Sequence, residues 1–229
     1  MRPPPQQVTT LTFFRFDSLF GRLWAFMAMG IAPFLLARAK GPVFYKLLGT
    51  GGSNGFGARP DFSTYALLFV WEDSATAARF FECNRVWRAY QKRGQETHTF
   101  HLNNIMAHGW WSDQQPFVSA APFDPAAPIA VITRATIRWS RLWSFWKNVA
   151  PVSRSMEGQP GLLFAKGIGE LPWIQQATFS VWASGKQMTD YAYRSALHAQ
   201  VIRTTREKGW YKEELFARFA LITTQTADH

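Results

Sequence analysis

Cysteine is nearly absent from this chain of 229 residues, because Cys83 is the only one. A single cysteine excludes a disulfide framework and any zinc site built from cysteines alone, which needs four thiolates. Acidic residues are also scarce: 15 Asp and Glu stand against 25 Lys and Arg, which leaves a formal charge of +10. Such a basic chain suits an anionic lipid surface, an acidic protein partner or nucleic acid.

Common nucleotide-binding and hydrolase motifs are missing as well. Residues 49–52 lack the Lys-Ser/Thr of a phosphate loop, and there is no Gly-x-Ser-x-Gly elbow. Basic residues are scattered, with no run beyond Lys92-Arg93, so we expect no nucleic-acid partner. His98 and His101 are three apart, which on a strand places them on opposite faces and argues against a shared metal ion.

No uncharged run is long enough for a membrane span. The most apolar of these runs covers residues 23–37, which is shorter than the ~20 residues that a spanning helix needs, and it contains Pro33. A signal peptide with Arg22 as its basic flank is the alternative. The matching segment of the internal repeat described next, residues 142–151, carries Lys147 and therefore belongs to a soluble fold. We expect a cytoplasmic protein that contacts the inner face of the cell membrane peripherally.

The chain contains an internal repeat, which is its most informative organisational feature. The spacing between matched residues falls from 119 or 120 to 111 along the chain, which places nine extra residues in the glycine-rich segment 51–57. The matched blocks are Arg15 with Arg134, Arg22-Leu23-Trp24 with Arg141-Leu142-Trp143, Lys46 and Gly49 with Lys166 and Gly169, and Val70-Trp71 with Val181-Trp182.

Both halves show the same order of predicted elements: strand, helix, two strands, a longer helix and a final strand. This β-α-β-β-α-β order is the ferredoxin-like unit. A serine is the expected N-cap of each longer helix. The predicted strands cover residues 8–16, 42–49, 64–71 and 96–108, then 129–137, 161–169, 177–182 and 213–224. The predicted helices cover residues 18–29 and 74–91, then 139–149 and 184–207.

We therefore predict an α+β fold in which two tandem ferredoxin-like repeats, residues 8–111 and 129–225, form a pseudo-dimeric α+β barrel. Residues 112–128 contain four prolines and are expected to form a linker. A ferredoxin-like unit leaves one face of its sheet without helices, so two such faces can pack together and close a barrel-like core. Such a fold can hold a flat apolar ligand between sheet and helices.

His198 is the main candidate for chemistry. On the predicted helix 184–207 it shares a stripe with Met188 and Ile202, which faces inward if the apolar members do. The repeat matches His198 to Trp87, a large apolar residue. A lone inward histidine is most often a hydrogen-bonded core residue. The functional alternative is an axial ligand to a haem iron, which needs only one side chain from the protein.

Three basic residues, Arg141, Lys166 and Arg203, are candidates to pair with haem propionates, because guanidinium and ammonium groups bind carboxylates. Solvation at the surface is the alternative for each of them. Cys83 offers a thiolate alternative to the histidine ligand. Its repeat counterpart is Arg194, so that helix position need not face inward.

Eight blocks spread over residues 10–222 carry a family resemblance. They are Phe14-Arg15-Phe16, Arg22 to Phe26, Lys46 to Gly51, Thr133 to Ile137, Leu163 to Glu170, Thr178 to Trp182, His198-Ala199 with Ile202-Arg203, and Gly209 to Phe219. In these blocks the chain resembles the spheroidene monooxygenases, a family of carotenoid-modifying enzymes.

This resemblance implies a haem-dependent monooxygenase that introduces a keto group at C-2 of acyclic carotenoids such as spheroidene. Two successive hydroxylations would use O2 and electrons from reduced ferredoxin. His198 matches the family's histidine on the second long helix, so the resemblance favours it as the iron ligand. A charge of +10 would suit both an anionic membrane surface, where carotenoids dissolve, and an acidic ferredoxin.

Two other functions remain open from the sequence. One is a cofactor-free monooxygenase on the same barrel, acting on a substrate that activates oxygen itself. The other is a non-catalytic protein that binds haem or an apolar ligand. A Soret band in the purified protein would count against the first, and bound haem without any oxygen-dependent product would support the second.

Overall fold

Eight antiparallel strands close into one barrel in the part of the chain that the computed structural model describes, residues 6–51, 59–147, 158–194 and 208–228. Around the barrel their order is β1-β3-β2-β6-β7-β5-β8-β4, and β4 pairs with β1 to close it. The strands are β1 Val8–Arg15, β2 Pro42–Gly51, β3 Pro60–Trp71, β4 Glu96–Gly109, β5 Ile129–Ile137, β6 Leu162–Leu171, β7 Gln175–Trp182 and β8 Tyr211–Asp228.

The barrel consists of two four-stranded sheets with the same internal order, β4-β1-β3-β2 and β8-β5-β7-β6. They join at both edges. The long β4–β8 ladder runs from Glu96 opposite Asp228 to Gly109 opposite Leu215, whereas β2 meets β6 only around Gly49 opposite Gly169. This confirms the predicted α+β barrel of two ferredoxin-like repeats, with the two inner faces enclosing one core.

Strand register shows that the repeat is structural. Trp71 lies opposite Val8 in the first half, and Trp182 lies opposite Ile129 at the same place in the second half. The separation of the two tryptophans is the 111 residues expected from the sequence. Equivalent positions elsewhere in the two sheets can therefore be matched pair by pair.

One of the predicted matches is wrong by two residues. Arg134 lies opposite Ala177, and the equivalent pair in the first half is Phe13 opposite Ala66. Its counterpart is therefore Phe13 rather than Arg15, and the offset between β1 and β5 is 121 residues. The chance recurrence of an arginine within two residues of the correct position produced the error.

Helices cover the outer faces of the two sheets. In the first half they are α1 Leu19–Leu36, α2 Ser74–Cys83 and α3 Arg85–Arg93. In the second half a 3-10 turn, Trp139–Arg141, leads into a helical segment, α4, over residues 142–147, and α5 covers Gly185–Arg194. The remainder of the predicted helix 184–207 lies outside the described residues.

The predicted helix 74–91 is two helices, because the chain breaks at Asn84. This residue has an extended backbone, and its side-chain oxygen accepts hydrogen bonds from the N–H groups of Val86 and Trp87 at 2.9 and 3.1 Å. Asparagine is a favoured N-cap, so it ends α2 and starts α3.

The expected serine N-caps are half right. Ser184 caps α5, since its hydroxyl accepts from the N–H of Gln187 at 3.2 Å. In the first half the cap is Asp73, not Ser74, and it accepts from the N–H of Thr76 at 2.7 Å. Asp73 lies 111 residues before Ser184, so the two caps are equivalent in the repeat.

Helix α1 continues seven residues past its predicted end at Met29, through Pro33 to Leu36. The missing N–H of Pro33 removes one backbone hydrogen bond from the helix. The carbonyl of Pro33 accepts from the N–H of Ala37 and from the hydroxyl of Tyr45, both at 2.9 Å, and the second bond ties this turn to β2. The buried face of α1 is made almost entirely of small residues, namely Gly21, Ala25, Ala28 and Ala32 followed by Leu36.

The barrel interior is filled by side chains. Its centre is formed by four phenylalanines, two from each half, with ring centroids 4.9–6.1 Å apart: Phe13, Phe100, Phe164 and Phe179. Aliphatic residues from the surrounding strands complete the cluster. Space for a flat ligand must therefore be sought outside the barrel, between a sheet and its helices.

Burial lowers the pKa of two histidines, His98 beside Phe100 inside the barrel and His101 on the outer face of β4. Their opposite orientations are as predicted. In the unfolded chain both imidazoles take up a proton near pH 6.5, whereas in the folded protein they take it up only at a lower pH. The free energy of unfolding should therefore fall as the pH drops below 6.5.

Urea unfolding at a series of pH values between 7.5 and 5.5 measures this dependence. The double variant His98→Phe, His101→Gln should show a flatter profile than the wild type. The exposed substitution Val118→Ser, which removes no titratable group, should leave the wild-type slope. An unchanged slope in the double variant would show that other groups cause the dependence.

Candidate functional site

The outer face of the second sheet carries smaller side chains than the equivalent face of the first sheet. Strand register matches the residues of the two faces directly. First-half residues and their second-half counterparts are Phe14 and Ala135, Tyr45 and Ala165, Leu47 and Gly167, Leu67 and Thr178, Phe69 and Ser180, and Tyr65 and Gln176. We call Ala135, Ala165, Gly167, Thr178 and Ser180 the small-residue floor.

In the first half, the large side chains at these positions fill the space beneath the helices. Phe14 packs on Trp87 and Tyr90, and Phe69 packs on Phe80 in the same cluster as the alanines of α1. The small-residue floor omits this layer of side chains. A sheet face of this kind leaves room for a flat ligand between the strands and whatever covers them.

Two apolar clusters flank the small-residue floor along β5. At one end Met188 of α5 packs with Ile129 and Val131. At the other end Phe145 of α4 packs edge-on against Trp210, with a centroid distance of 5.7 Å, beside Ile137. The floor therefore lies in an apolar setting in which polar interactions are strong.

Arg218 borders the same face. Its neighbours in β8, Ala217 and Phe219, belong to the interior cluster, so alternation places Arg218 outside, opposite Val131. The guanidinium lies over the ring of Phe216 at 5.2 Å, and its Nε is buried without a hydrogen-bond partner in the part of the chain described. A buried, unpaired donor of this type can bind an anionic group.

A cleft of ≈160 Å³ opens where the β2–β3 hairpin approaches the β6–β7 hairpin. Gly169 lies at its back, where an added Cβ would come within 2.5 Å of the carbonyl oxygen of Gln175, so the close approach requires glycine. Gln176 connects the cleft with the small-residue floor, since it is paired with Ala135 in the sheet. Apolar wall residues are Phe26, Met29, Phe62, Tyr65, Trp146 and Trp173.

A charged network lies inside the barrel and joins both halves. Glu170 accepts a hydrogen bond from Lys46 Nζ on Oε2 at 2.6 Å and from Trp111 Nε1 on Oε1 at 2.7 Å. Arg134 Nη2 lies 3.5 Å from the same Oε1. Arg134 also pairs with Glu213. Burial lowers the pKa of Arg134, against the opposing charge of Glu170, and the pairing keeps the guanidinium charge balanced.

A second ion pair contains one of the predicted site residues. Lys166 Nζ lies 3.4 Å from a carboxylate oxygen of Asp61. Burial tends to raise the pKa of Asp61, but hydrogen bonds from Ser63 and the charge of Lys166 outweigh it and lower the pKa. Asp61 is therefore ionised and Lys166 already has an anionic partner.

The four predicted site residues are not brought together within the described part of the chain. Lys166 shares the inward face of β6 with Phe164 and Ile168, on the opposite side of the sheet from the small-residue floor. Arg141 is exposed at the end of the 3-10 turn. His198 and Arg203 lie outside the described residues.

Sequence reasoning missed the charged network and Arg218. The signal for the network was present, since Lys46 and Lys166 recur at equivalent inward positions between apolar residues. Arg218 alternates with Ala217 and Phe219 in the same way. Within the described ranges, no group of three or more His, Cys, Asp or Glu side chains could hold a metal ion.

Comparison with known proteins gives relatives of one kind. No family model matches the chain. The spheroidene monooxygenase of Rubrivivax gelatinosus is 36% identical over 207 residues, covering 89% of this chain and 78% of that protein. The spheroidene monooxygenase of Rhodobacter capsulatus is 33% identical over 220 residues, covering 95% of this chain and 91% of that protein.

Solved structures with a similar fold include two of aldoxime dehydratase. One matches 98% of this chain and 86% of its own with a TM-score of 0.58. The other, in complex with butyraldoxime, matches 99% of this chain and 84% of its own with a TM-score of 0.62. Sequence identity is 12% in both cases, so the likeness is one of fold.

Proposed function

The chain belongs to the spheroidene monooxygenase family and is a monooxygenase, and we propose that it oxidises C-2 of an acyclic carotenoid such as spheroidene with haem as its cofactor. Each insertion consumes one O2, two electrons and two protons, and gives one hydroxyl group and one water. Reduced ferredoxin supplies the electrons. A second insertion at the same carbon gives a geminal diol, which loses water to form the ketone.

The small-residue floor is the observation that supports a haem site. A porphyrin is flat and largely apolar, and the floor lacks the side-chain layer that Phe14, Tyr45 and Phe69 supply in the first half. Residues of this size let a ring lie close to the strands. When bound there, haem supplies the oxygen activation, while the chain supplies a ligand, an apolar setting and orientation of the substrate.

His198 is the proposed iron ligand. The repeat matches it to Trp87, whose ring packs on Phe14 with a centroid distance of 5.3 Å. The strand counterpart of Phe14 is Ala135, at the edge of the small-residue floor. We infer from this match that the imidazole belongs near Ala135, where the strand side chain is only a methyl group.

Propionate groups need cationic partners at the edge of the same face. Arg218 is the described residue that fits this role, because its Nε is buried beside the floor and has no hydrogen-bond partner among the residues that the structure describes. Arg141 and Arg203 remain proposals from the sequence. Lys166 is the least suitable candidate for binding a propionate, because it lies on the inward face and pairs with Asp61.

The cleft supports an elongated apolar substrate. Its volume of ≈160 Å³ fits the end of a chain, not a whole carotenoid. C-2 of an acyclic carotenoid lies at such an end, so only a short part of the molecule must enter. Gln176 lies between the cleft and the floor and would border the substrate end on its way to the cofactor.

A haem titration followed by the Soret band tests the cofactor and its ligand. The wild-type protein should bind haem, and His198→Ala should lower the affinity at least about tenfold or shift the spectrum, because the iron loses its protein ligand. His101→Ala, which removes a half-buried histidine of the first half, is the matched control.

Identical affinity and spectra for wild type and His198→Ala would return His198 to a structural role. In that case the variant should only lose stability, by about 1–3 kcal/mol for an unsatisfied partner. Oxygenation by a protein that binds no haem would favour the cofactor-free alternative.

A further inference from the structure

Helix α1 has an inverted pattern of side-chain size. Its buried face consists of glycine and alanine apart from Leu36, while most of its large apolar residues point away from the protein. Phe20 is 86% exposed and Phe34 is 72% exposed. An amphipathic helix of a soluble protein normally places its large apolar residues towards the core. The outward residues, which we call the apolar face of α1, are Leu19, Phe20, Leu23, Met27, Ile31, Phe34 and Leu35.

The charged residues on α1 and just after it have one sign. No Asp or Glu occurs between Asp17 and Asp61, whereas that stretch contains five Lys and Arg residues. Arg22, Arg38 and Lys40 are exposed on α1 or just after it. An apolar surface with cationic residues around it is complementary to an anionic lipid surface, where each basic residue adds attraction to the headgroups.

The corresponding region of the second half repeats this combination. Trp139 and Trp143 are exposed, and Lys147 lies over the ring of Trp143 at 5.1 Å. No acidic residue occurs in residues 125–156. Tryptophan is favoured at membrane interfaces because its ring is apolar and its N–H is polar.

The cleft lies between these two regions. Phe26 and Met29 of α1 form one wall, and Trp146 of α4 forms another. Three aromatic residues of its lining, Phe26, Phe62 and Trp173, are more than half exposed, and Phe26 contacts Phe62 with a centroid distance of 5.9 Å. These exposed aromatic residues give the cleft an apolar border that is continuous with α1, although charged residues such as Arg59 and Asp61 also line it.

We propose that the apolar face of α1 and the mouth of the cleft dock onto an anionic bilayer, with α1 lying in the plane of the interface. By length and composition α1 could also cross a membrane. Its small face is packed in the cluster of the first sheet, however, and the side chain of Arg22 donates to the carbonyl of Phe16 at 3.0 Å. A helix held against the sheet in this way exposes one side, as an interfacial helix does.

Docking in this orientation gives a carotenoid a path that avoids water, and this part of the inference rests on the proposed function. The substrate would remain dissolved in the bilayer while its end passes between Phe26, Phe62 and Trp173 into the cleft. A cleft that fits only a chain end is sufficient for this arrangement.

Flotation of the purified protein with lipid vesicles tests the docking surface. The wild type should float with vesicles that contain phosphatidylglycerol, and at least about tenfold less with phosphatidylcholine alone. Phe20→Ser with Phe34→Ser should lower the partition to anionic vesicles at least about tenfold. The control Val118→Ser with Ile222→Ser removes exposed apolar residues away from α1 and should float like the wild type.

Failure of the wild type to float, or flotation of the Phe20/Phe34 variant like the wild type, would overturn the proposal. A concentration-dependent dimer that the same variant abolishes, with no vesicle binding, would show that the face binds a second copy of the chain and would overturn it as well.

Turnover separates docking from chemistry. The Phe20/Phe34 variant should convert carotenoid in detergent micelles like the wild type, and carotenoid in anionic vesicles at least about tenfold more slowly, because only the second presentation needs docking. Equal rates on vesicles would contradict the proposal. If the wild type converts neither presentation, the proposed function fails while the flotation result still decides the docking surface.

Discussion

The double substitution Ala165→Tyr with Ser180→Phe should strongly weaken haem binding. These substitutions restore, on the second sheet, the paired residues Tyr45 and Phe69 of the first sheet. In the first half such side chains fit beneath the helices, so the variant should remain folded. On the small-residue floor their rings would occupy the volume that a porphyrin needs, and we expect affinity to fall about a hundredfold or more.

A Soret titration together with thermal unfolding by circular dichroism checks this expectation. Thr178→Ser is the matched control, since it changes a floor residue, keeps the hydroxyl and adds no volume, and it should leave haem affinity within about threefold of the wild type. If the filled variant folds and binds haem with unchanged affinity and spectrum, the small-residue floor is not the cofactor site.

Removing Glu170 should cause the largest loss of stability of any single substitution considered, about 3–5 kcal/mol for Glu170→Ala. The change leaves Lys46 and Arg134 without a shared anion and the indole N–H of Trp111 without an acceptor. Arg134 is only 2% exposed and would keep only Glu213 as its anionic partner. The network joins strands of both halves, and its loss should therefore lower the stability of the whole barrel.

Equilibrium unfolding in urea measures this loss. Lys186→Ala breaks an exposed ion pair with Asp190 and serves as the control, with an expected cost within about 0.5 kcal/mol. Glu170→Gln keeps the hydrogen-bond acceptor and should lie between the two. If Glu170→Ala costs no more than the control, the network contributes little to stability.

The architecture could be predicted because the two halves of the sequence repeat the same pattern of strands and helices. Two tryptophans, Trp71 and Trp182, recur at equivalent places, and the order of strands and helices around them is the same in each half. The break between α2 and α3 was harder to predict from the sequence. Asn84 lies in a run that is apolar at helical spacing, and its capping role depends on a backbone conformation that the spacing does not reveal.

The candidate site was harder to predict, because alternation along a strand defines two faces without saying which is inside. In β6 one face has Phe164, Lys166 and Ile168, and the other has Ala165 and Gly167. Phe164 suggests that the first face lies in the core, which is correct. The candidate cofactor site, however, lies on the second face, where the residues are small. That contrast becomes visible only when register matches each position to its first-half counterpart.

The apolar face of α1 was not predicted from the sequence, for a related reason. An amphipathic helix normally buries its large apolar residues. In the structure Gly21, Ala25 and Ala28 are buried, so that the helix can approach the sheet closely. Small residues at helical spacing were the signal that the apolar residues between them face outward.

The most direct measurement of the central claim is the origin of the oxygen in the product. Haem-loaded protein, reduced ferredoxin and spheroidene in anionic vesicles should be incubated under ¹⁸O2, and the hydroxylated intermediate and the ketone analysed by mass spectrometry before carbonyl exchange with water. We expect each product to be two mass units heavier than under ¹⁶O2, with fragmentation locating the label at C-2. Unlabelled oxygen in the hydroxylated product, or no product in the presence of every component, would contradict the assignment of this chain as an acyclic carotenoid monooxygenase.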